Sequence, residues 1–444
     1  MLGVSIKERA DTAFLNPNFK SLLTLTWPLA VVQLSVPLAN VVDTFFAGKL
    51  GELHLAAMGL GGALFLAATI VPMGIVLAVE PLVAQSYGRR KLEDGRAYMM
   101  GGALLAGLLS LPFGVAYLVL TFGAEWLGID AAMARLVESY SLGRVWAITP
   151  ALLMLPAKAW LQVHRFTRPI LLSAFIANVA NALLDWLAVY GALQWGIDGL
   201  FWIGLASVGA AGLQCVGMLF PLWGQRLQFR RVRARWREVL DIGWPLGFQL
   251  MAEVGIFALV QFMMGLLGAR YAAAHQIALA YASLSFSVCL GLGTATSVWV
   301  GKAAGYGDLI LARAWGRKAM GLGITFMTGM GFVFWVGAPA LTGLMSKEEG
   351  VVQISGELLK IAALFQIVDG IQAIGSGALR GLSRTRVAFL ANFVGHWLIG
   401  LPVALGLAYG MNLGAAGLWW GLTAGLSVVA IGLSVAFFWG ASSP

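Results

Sequence analysis

The sequence predicts an all-α membrane protein with twelve transmembrane helices in two six-helix bundles. The chain of 444 residues is 59% hydrophobic and 11% charged, whereas a soluble domain carries about 25% charged residues. Runs of about 20 apolar residues recur along its whole length, as membrane spans require. The second half repeats motifs of the first at an offset of about 218 residues, a pattern typical of secondary transporters.

Short motifs and single glycines carry the repeat. Trp27-Pro28-Leu29 corresponds to Trp244-Pro245-Leu246, and Gly51 corresponds to Gly268 at nearly the same offset. A duplication of this kind predicts two bundles that face each other across a central cavity.

Twelve apolar runs separated by short polar connections are the candidate spans. We place them near residues 22–47, 53–80, 97–122, 138–160, 169–192, 198–222, 244–267, 273–300, 316–342, 354–380, 387–409 and 414–439. Six spans per half is an even number, so the halves enter the membrane in the same sense, related by a pseudo-two-fold axis along the membrane normal. The predicted domains are an N-terminal lobe (1–222), a basic cytoplasmic linker (223–243) and a C-terminal lobe (244–444).

The distribution of lysine and arginine predicts the orientation. With the N-terminus inside, 22 of the 29 basic residues lie on the cytoplasmic side, which places both termini in the cytoplasm. The six assigned to the outer side are Lys49, Arg135, Arg144, Arg270, Lys347 and Lys360. The linker cluster from Arg226 to Arg237 fits an orientation signal better than a lipid-binding site. This distribution also argues against nucleic acid as a partner, despite the net charge of +9.

Several function classes are disfavoured by missing motifs. The sequence has no G-x-x-x-x-G-K-[ST] phosphate-binding motif, no Cys/His metal cluster and no nucleophile–base pair. Its two cysteines, Cys215 and Cys289, lie in apolar runs and imply no disulfide framework. We therefore expect neither an enzyme nor a cofactor, and an ion gradient rather than ATP as the energy source.

Four acidic residues lie inside predicted spans, where an ionisable side chain costs roughly 2.5–3.5 kcal/mol and needs a reason. Asp43 and Asp185 lie at similar depth in the first half, and Glu253 and Asp369 lie at similar depth in the second. Amides share the helix faces of these acids. The supporting residues are Gln33, Asn40, Asn178, Asn181, Gln249, Gln366 and Gln372. A single acid of this kind could be a neutral helix contact, but four in matched pairs indicate binding sites for a cation or a proton.

Two chemistries fit these acids. A carboxyl group removed from water can load and release a proton, whereas carboxylates with amide oxygens can coordinate a hard cation such as Na⁺. A possible Na⁺ at Glu253 and Asp369 is the only metal expected. Phe365, His275 and Gln276 are candidates for lining the substrate cavity, although a packing role is the favoured alternative for His275.

At these residues the chain resembles the multidrug and toxic compound extrusion (MATE) family, and within it the NorM-like branch. The resemblance covers essentially the whole chain and rests on VDTFFAGKLG (Val42 to Gly51), VAQSYG (Val83 to Gly88), AAHQIAL (Ala273 to Leu279), DGIQAIGSGALRG (Asp369 to Gly381) and Glu253. It implies two bundles in a V shape that export cationic and amphipathic compounds in exchange for H⁺ or Na⁺.

The resemblance also implies roles for individual residues. Asp43 matches the helix 1 acid of the family, and Glu253 and Asp369 match the cation-site acids of NorM-like members. Two positions depart from that branch: Phe365 stands where a tyrosine is common, and Asp185 resembles an acid of the DinF-like branch. Both departures favour H⁺ or a mixed mode over strict Na⁺ coupling.

We therefore expect a monomeric efflux antiporter for cationic drugs or toxins, embedded in the bilayer of a bacterial inner membrane. A flippase for a lipid-linked sugar is the main alternative, and it would be expected to have a basic cavity for phosphate, whereas these spans are acidic. A channel would need a continuous polar path, but the polar stripes stop short of both faces.

Overall fold

The computed structural model describes residues 12–125, 129–191, 199–222 and 229–440, and these residues are almost entirely helical. They form twelve long helices, α1 to α12. The bounds are α1 Phe19–Leu50, α2 Glu52–Leu77 continued by Val79–Gly88, α3 Leu92–Phe122, α4 Ala131–Arg144 continued by Ile148–Val163, α5 Arg168–Tyr190, α6 Gly199–Leu219, α7 Phe229–Leu267, α8 Ala269–Tyr306, α9 Leu309–Met345, α10 Glu349–Gly381, α11 Thr385–Phe393 continued by Val394–Gly400, Leu401–Leu405 and Gly406–Gly410, and α12 Gly414–Phe438.

The predicted twelve-helix membrane fold is confirmed. Within the described ranges, 11 helices are long and apolar enough to cross a membrane. The twelfth is α4, which a 3₁₀ turn at Val145–Ala147 divides into two shorter segments. Large apolar side chains on the outward faces of the helices, such as Leu111 on α3 and Phe332 on α9, are exposed to the surroundings. Lipid is the medium that covers such faces in a membrane protein.

Prolines explain two interruptions. Pro81 has no N–H to donate to the carbonyl of Leu77, and α2 is interrupted between Leu77 and Val79. Pro150 likewise cannot donate a hydrogen bond to the carbonyl of Trp146. The 3₁₀ turn in α4, Val145–Ala147, contains Trp146 and ends three residues before Pro150. The turn follows Arg144, so this residue ends the outer segment of α4.

The repeat is present in the backbone as well as in the sequence. Gly51 connects α1 to α2 with φ 127°, and Gly268 connects α7 to α8 with φ 130°. Residues other than glycine rarely adopt such φ angles. Arg165 and Ser383, which correspond in the repeat, are both left-handed with φ 58°. Corresponding turns in the two halves therefore have the same backbone geometry, even where the residues at those turns differ.

The chain forms two compact units. The first comprises the described residues within Val31–Tyr87 and Lys91–Gly247, and the second comprises those within Asp11–Ala30, Gly88–Arg90 and Phe248–Pro444. Consequently α1 begins in the second unit and continues in the first, whereas α7 begins in the first and continues in the second. Residues 223–228 of the predicted linker lie outside the described residues, and from Phe229 the linker is part of α7. The predicted lobe limits stay a prediction.

Each unit has its own helix packing. In the first unit α5 packs along α6, and α4 packs against α2, α3 and α6. In the second unit α10 lies centrally, in contact with α8, α9 and α12. Its contact with α8 is very close, since a Cβ atom added to Gly377 would lie 2.1 Å from the carbonyl oxygen of Gly293. This central position of α10 buries Gln366, Asp369 and Gln372.

Candidate ion and substrate sites

The acids predicted in the first half lie together in the first unit. Asp43 of α1 and Asp185 of α5 are both buried. Asn181, one turn before Asp185, donates its Nδ2 to Asp43 Oδ1 at 2.5 Å and to Asp185 Oδ2 at 3.0 Å. The two carboxyl groups are also close enough to interact directly. One amide therefore holds both acids in a single buried site.

A third charged residue, Arg144, belongs to this site. Arg144, placed on the outer side by its sequence position, lies against the acids inside the first unit. Its guanidinium donates a hydrogen bond to the hydroxyl of Tyr140 and lies 4.6 Å from the ring centroid of Phe65. It attracts Asp43 and Asp185 electrostatically. The position of Arg144 inside a predicted span was the sequence signal that could have placed it here.

Tyr140 was also missed. It lies one turn before Arg144 on α4 and is 1% exposed. The hydroxyl of Tyr117 on α3 donates to Ser141 Oγ at 2.8 Å, which fixes the same stretch of α4. Aromatic and hydroxyl side chains of α3 and α4 thus form the wall of the acid site, a role that their apolar sequence context did not indicate.

The other predicted amides of the first half do not join the acids. Asn178 donates to the Ala174 carbonyl of its own helix at 2.8 Å. Asn40 is exposed, and Gln33 is half-buried nearer the start of α1. Among the four predicted amides of this half, Asn181 is the one whose described hydrogen bonds reach an acid.

The acids predicted in the second half also lie together, in the second unit. Asp369 of α10 is buried and Glu253 of α7 is half-buried, and their carboxyl groups are close enough to interact. Gln372 hydrogen-bonds to Glu253 and donates Nε2 to Asn392 Oδ1 of α11 at 3.2 Å. Each unit therefore holds an acid pair in contact with one amide side chain. Asn392 was not among the predicted site residues.

Two further amides, Gln249 and Gln366, lie on the same helices as these acids. Gln249 donates Nε2 to Ser376 Oγ at 3.2 Å, and Gln366 donates Nε2 to Ser285 Oγ. The Oε1 atoms of Gln249, Gln366 and Gln372 are buried and accept no hydrogen bond from the described residues. Three amide oxygens thus remain available, of the kind that a hard cation prefers.

The candidate cavity residues separate into two groups. Phe365 is buried, with ring centroids 6.3 Å from Phe257 and 5.8 Å from Trp419. Trp419 donates its Nε1 to Nδ1 of the buried His275 at 3.0 Å. Gln276 is instead exposed, and it donates to Gln261 Oε1 at 2.8 Å. His275 and Phe365 therefore belong to one buried aromatic cluster, and Gln276 lies apart from it.

These features define a class of protein. Membrane-crossing helices built as a repeat, with a close pair of acids in each unit, are typical of ion-coupled transporters. In the part of the chain that the structure describes, no three His, Cys, Asp or Glu side chains are grouped to hold a metal ion.

The chain belongs to the MatE family, whose model matches residues 28–187 and 245–405. It is 36% identical over 424 residues to the probable multidrug resistance protein NorM of Burkholderia mallei, covering 92% of this chain and 90% of that protein. It is 33% identical over 447 residues to the probable NorM of Pseudomonas aeruginosa, covering 95% and 89%. The resemblance to this family is confirmed.

Solved structures agree on the fold. The eukaryotic MATE transporter AtDTX14 superposes with a TM-score of 0.85 at 22% identity, covering 95% of each chain. The Vibrio cholerae MATE transporter VcmN, in its bent form, superposes with a TM-score of 0.83 at 19% identity, covering 94% of this chain and 95% of that chain. Membership of the MatE family and the similarity to NorM proteins make this chain a multi-pass membrane transporter and not an enzyme.

Proposed function

We propose that the protein is a secondary active multidrug efflux antiporter, which exports cationic and amphipathic compounds in exchange for a cation. The observation that carries this proposal is the close pair of acids in each unit, each pair in contact with an amide. An acid inside a membrane span is costly to insert. Two pairs of such acids therefore indicate sites at which a cation binds and is released during transport. The NorM relatives are named multidrug resistance proteins, which supports the export of drugs.

The acidic character of both sites favours cationic cargo over the lipid-linked sugar of the flippase alternative. A sugar diphosphate would need several cations around its phosphates. The first site has one arginine beside two acids, and the second has two acids among amides. Nothing in either arrangement favours a phosphate ligand over a cation.

We assign the coupling ion to Glu253 and Asp369, and the cargo to Asp43 and Asp185. We favour H⁺ as the coupling ion. A proton requires one carboxyl group shielded from water, whereas Na⁺ requires a shell of oxygens. Phe365 contributes no oxygen, and its ring packs with Phe257 and Trp419. The free amide oxygens near the pair leave a mixed H⁺/Na⁺ mode as the alternative.

The proposal also covers the cellular location, the orientation and the partners of the protein. We place the protein in the inner membrane of a bacterium as a monomer, with both termini in the cytoplasm, because basic residues are concentrated on that side. The terminal residues 1–11 and 441–444 lie outside the described residues. The partners are small cationic drugs and the lipid bilayer, and no cofactor is required.

Reconstitution in proteoliposomes tests the proposal. Transport of a cationic dye would be measured under an imposed H⁺ gradient or an imposed Na⁺ gradient, for the unaltered protein and for Glu253→Gln and Asp369→Asn. Glu357→Gln is the matched control, because Glu357 is an exposed acid on the same helix as Asp369. We expect both site variants to fold and lose coupled transport while the control keeps it. Full coupled transport by Asp369→Asn would overturn the assignment.

A further inference from the structure

His396 of α11 is a buried polar side chain that the antiport proposal does not use. It is 1% exposed, and neither Nδ1 nor Nε2 of its ring has a hydrogen-bond partner among the described residues. A neutral imidazole has one donor and one acceptor, and leaving such a group unpaired in the interior costs about 1–3 kcal/mol. A histidine kept at this cost is a candidate for a role in transport.

Another buried histidine of the second unit shows the contacts that a packing role provides. Nδ1 of His275 accepts a hydrogen bond from Trp419 Nε1 at 3.0 Å, and the two rings meet edge to face with centroids 5.6 Å apart. Within the described residues His396 has no such hydrogen bond, so packing alone accounts less well for its position.

The backbone around His396 is irregular. From Val394 to Gly400 α11 is a π-helix, a rare conformation that is frequent at functional sites. Gly395 and Gly400 lie against Gly425 of α12, where added Cβ atoms would be 2.8 Å from its carbonyl oxygen and 3.0 Å from its Cα atom. This close approach positions the π segment, and it involves glycines rather than the imidazole.

The helix turn that precedes His396 is linked to the acids of the second unit. Asn392 accepts a hydrogen bond from Gln372 Nε2 at 3.2 Å, and Gln372 also hydrogen-bonds to Glu253. Consecutive membrane helices run in opposite directions. One turn beyond Asn392 on α11 therefore corresponds to one turn before Gln372 on α10, and these positions are His396 and Asp369.

The residue after His396 binds α11 to the other acid-bearing helix. Trp397 donates Nε1 to the carbonyl of Ala252 at 3.0 Å, one residue before Glu253 on α7. The third helix that packs here, α12, has no ionisable residue between Gly414 and Phe438. From residue 244 onwards α7 has Glu253 as its ionisable residue, and from residue 354 onwards α10 has Glu357, Lys360, Asp369 and Arg380.

We propose that His396 relays the coupling proton to and from Glu253 and Asp369. When the acids release the proton, an O–H bond of a carboxyl group breaks and an N–H bond forms on the imidazole, which leaves a carboxylate and an imidazolium. A solvent water then accepts the proton as hydronium on the side of lower proton concentration. The inference rests on the proposed function, because it requires H⁺ coupling at this acid pair, and it adds the residue through which the proton passes.

Two modes of transport distinguish a proton relay from a structural residue. Transport of a cationic dye into proteoliposomes would be driven either by an imposed pH gradient or by exchange for unlabelled dye at equal pH on both sides. Exchange moves the loaded protein in both directions and requires no net proton transfer. We expect His396→Gln to slow gradient-driven transport by at least about tenfold, because a positioned proton carrier is lost, and to leave exchange unchanged.

Two further variants complete the design. His275→Gln is the matched control, because it also replaces a buried histidine of the second unit with an amide. Any loss that it causes should affect gradient-driven transport and exchange alike. His396→Asn introduces a smaller amide and should separate the two modes as His396→Gln does, which covers the case in which His396→Gln does not fold.

The outcomes separate this inference from the antiport proposal. If the His396 variants lose both modes to the same degree, or keep gradient-driven transport at the full rate, His396 is not a relay and the antiport proposal stands. If Glu253→Gln keeps gradient-driven transport at the full rate, the assignment of the acid pair fails and the inference fails with it.

Discussion

Replacing Asn181 with alanine is the sharpest test of how the first site is held together. The substitution removes the hydrogen bonds of 2.5 and 3.0 Å from one amide to Asp43 and Asp185. A hydrogen bond to a charged group contributes about 1.5–3 kcal/mol, so the two together contribute about 3–6 kcal/mol. A proton shared between the two acids would offset part of this loss, and we expect a net destabilisation of about 2–4 kcal/mol.

Asn178→Ala is the matched control on the same helix. Its amide donates to the carbonyl of Ala174 at 2.8 Å and not to an acid, so its loss should cost about 0.5–1.5 kcal/mol. The free energy of unfolding would be measured for both variants by titrating SDS into detergent micelles and following the circular dichroism. Equal destabilisation by Asn178→Ala and Asn181→Ala would refute the view that Asn181 bridges the acids. So would a loss of less than about 1 kcal/mol for Asn181→Ala.

Three further predictions concern pH, the coupling ion and a backbone turn. Binding of a cationic dye should strengthen as pH rises, because protons compete with the dye for the carboxyl group of Asp185, and Asp185→Asn should flatten that profile. An H⁺ gradient should drive export without Na⁺, and Phe365→Tyr should raise the dependence of export on Na⁺, measured by dye efflux at fixed pH. Gly51→Ala should destabilise the fold by about 1–3 kcal/mol, measured by the same SDS titration, because φ 127° strains any residue with a Cβ atom.

Each of these predictions has a control or a contrary outcome. An unchanged pH profile in the Asp185→Asn protein would make Asp185 a structural residue. Efflux that strictly requires Na⁺ in the unaltered protein, with no pH gradient, would rule out H⁺ coupling. Gly48→Ala is the control for Gly51→Ala, because Gly48 lies inside α1 with open space around it. If the two glycine variants are equally stable, the turn is not strained by a side chain.

Much of the fold was predictable because lipid imposes a simple rule on sequence. A membrane helix must be apolar over about 20 residues, so hydropathy alone located all twelve helices. The interruption of α4 was not located, since the proline that causes it lies within an otherwise continuous apolar run. The length and hydropathy of an apolar run do not show that a proline within it removes a backbone hydrogen bond.

The acids of the candidate sites were predictable for the same reason. A carboxyl group in an apolar run stands out, and its partner can be matched by depth along the helices. Tyr140 could not be found in this way, because tyrosine is common in membrane helices and its contact with Arg144 is defined only once α4 is placed. Asn392 was missed because it belongs to a different helix from the acid that Gln372 contacts.

The tight turns at Gly51 and Gly268 also have a consequence for how the chain enters the membrane during synthesis. A single glycine separates α1 from α2, and another separates α7 from α8. With a single glycine between its two helices, each pair is expected to enter the membrane as a hairpin. Asp43 and Glu253, which lie on the first helices of these hairpins, therefore cross the membrane accompanied by a neighbouring apolar helix. This shared entry shields an acid that an isolated helix would expose to lipid.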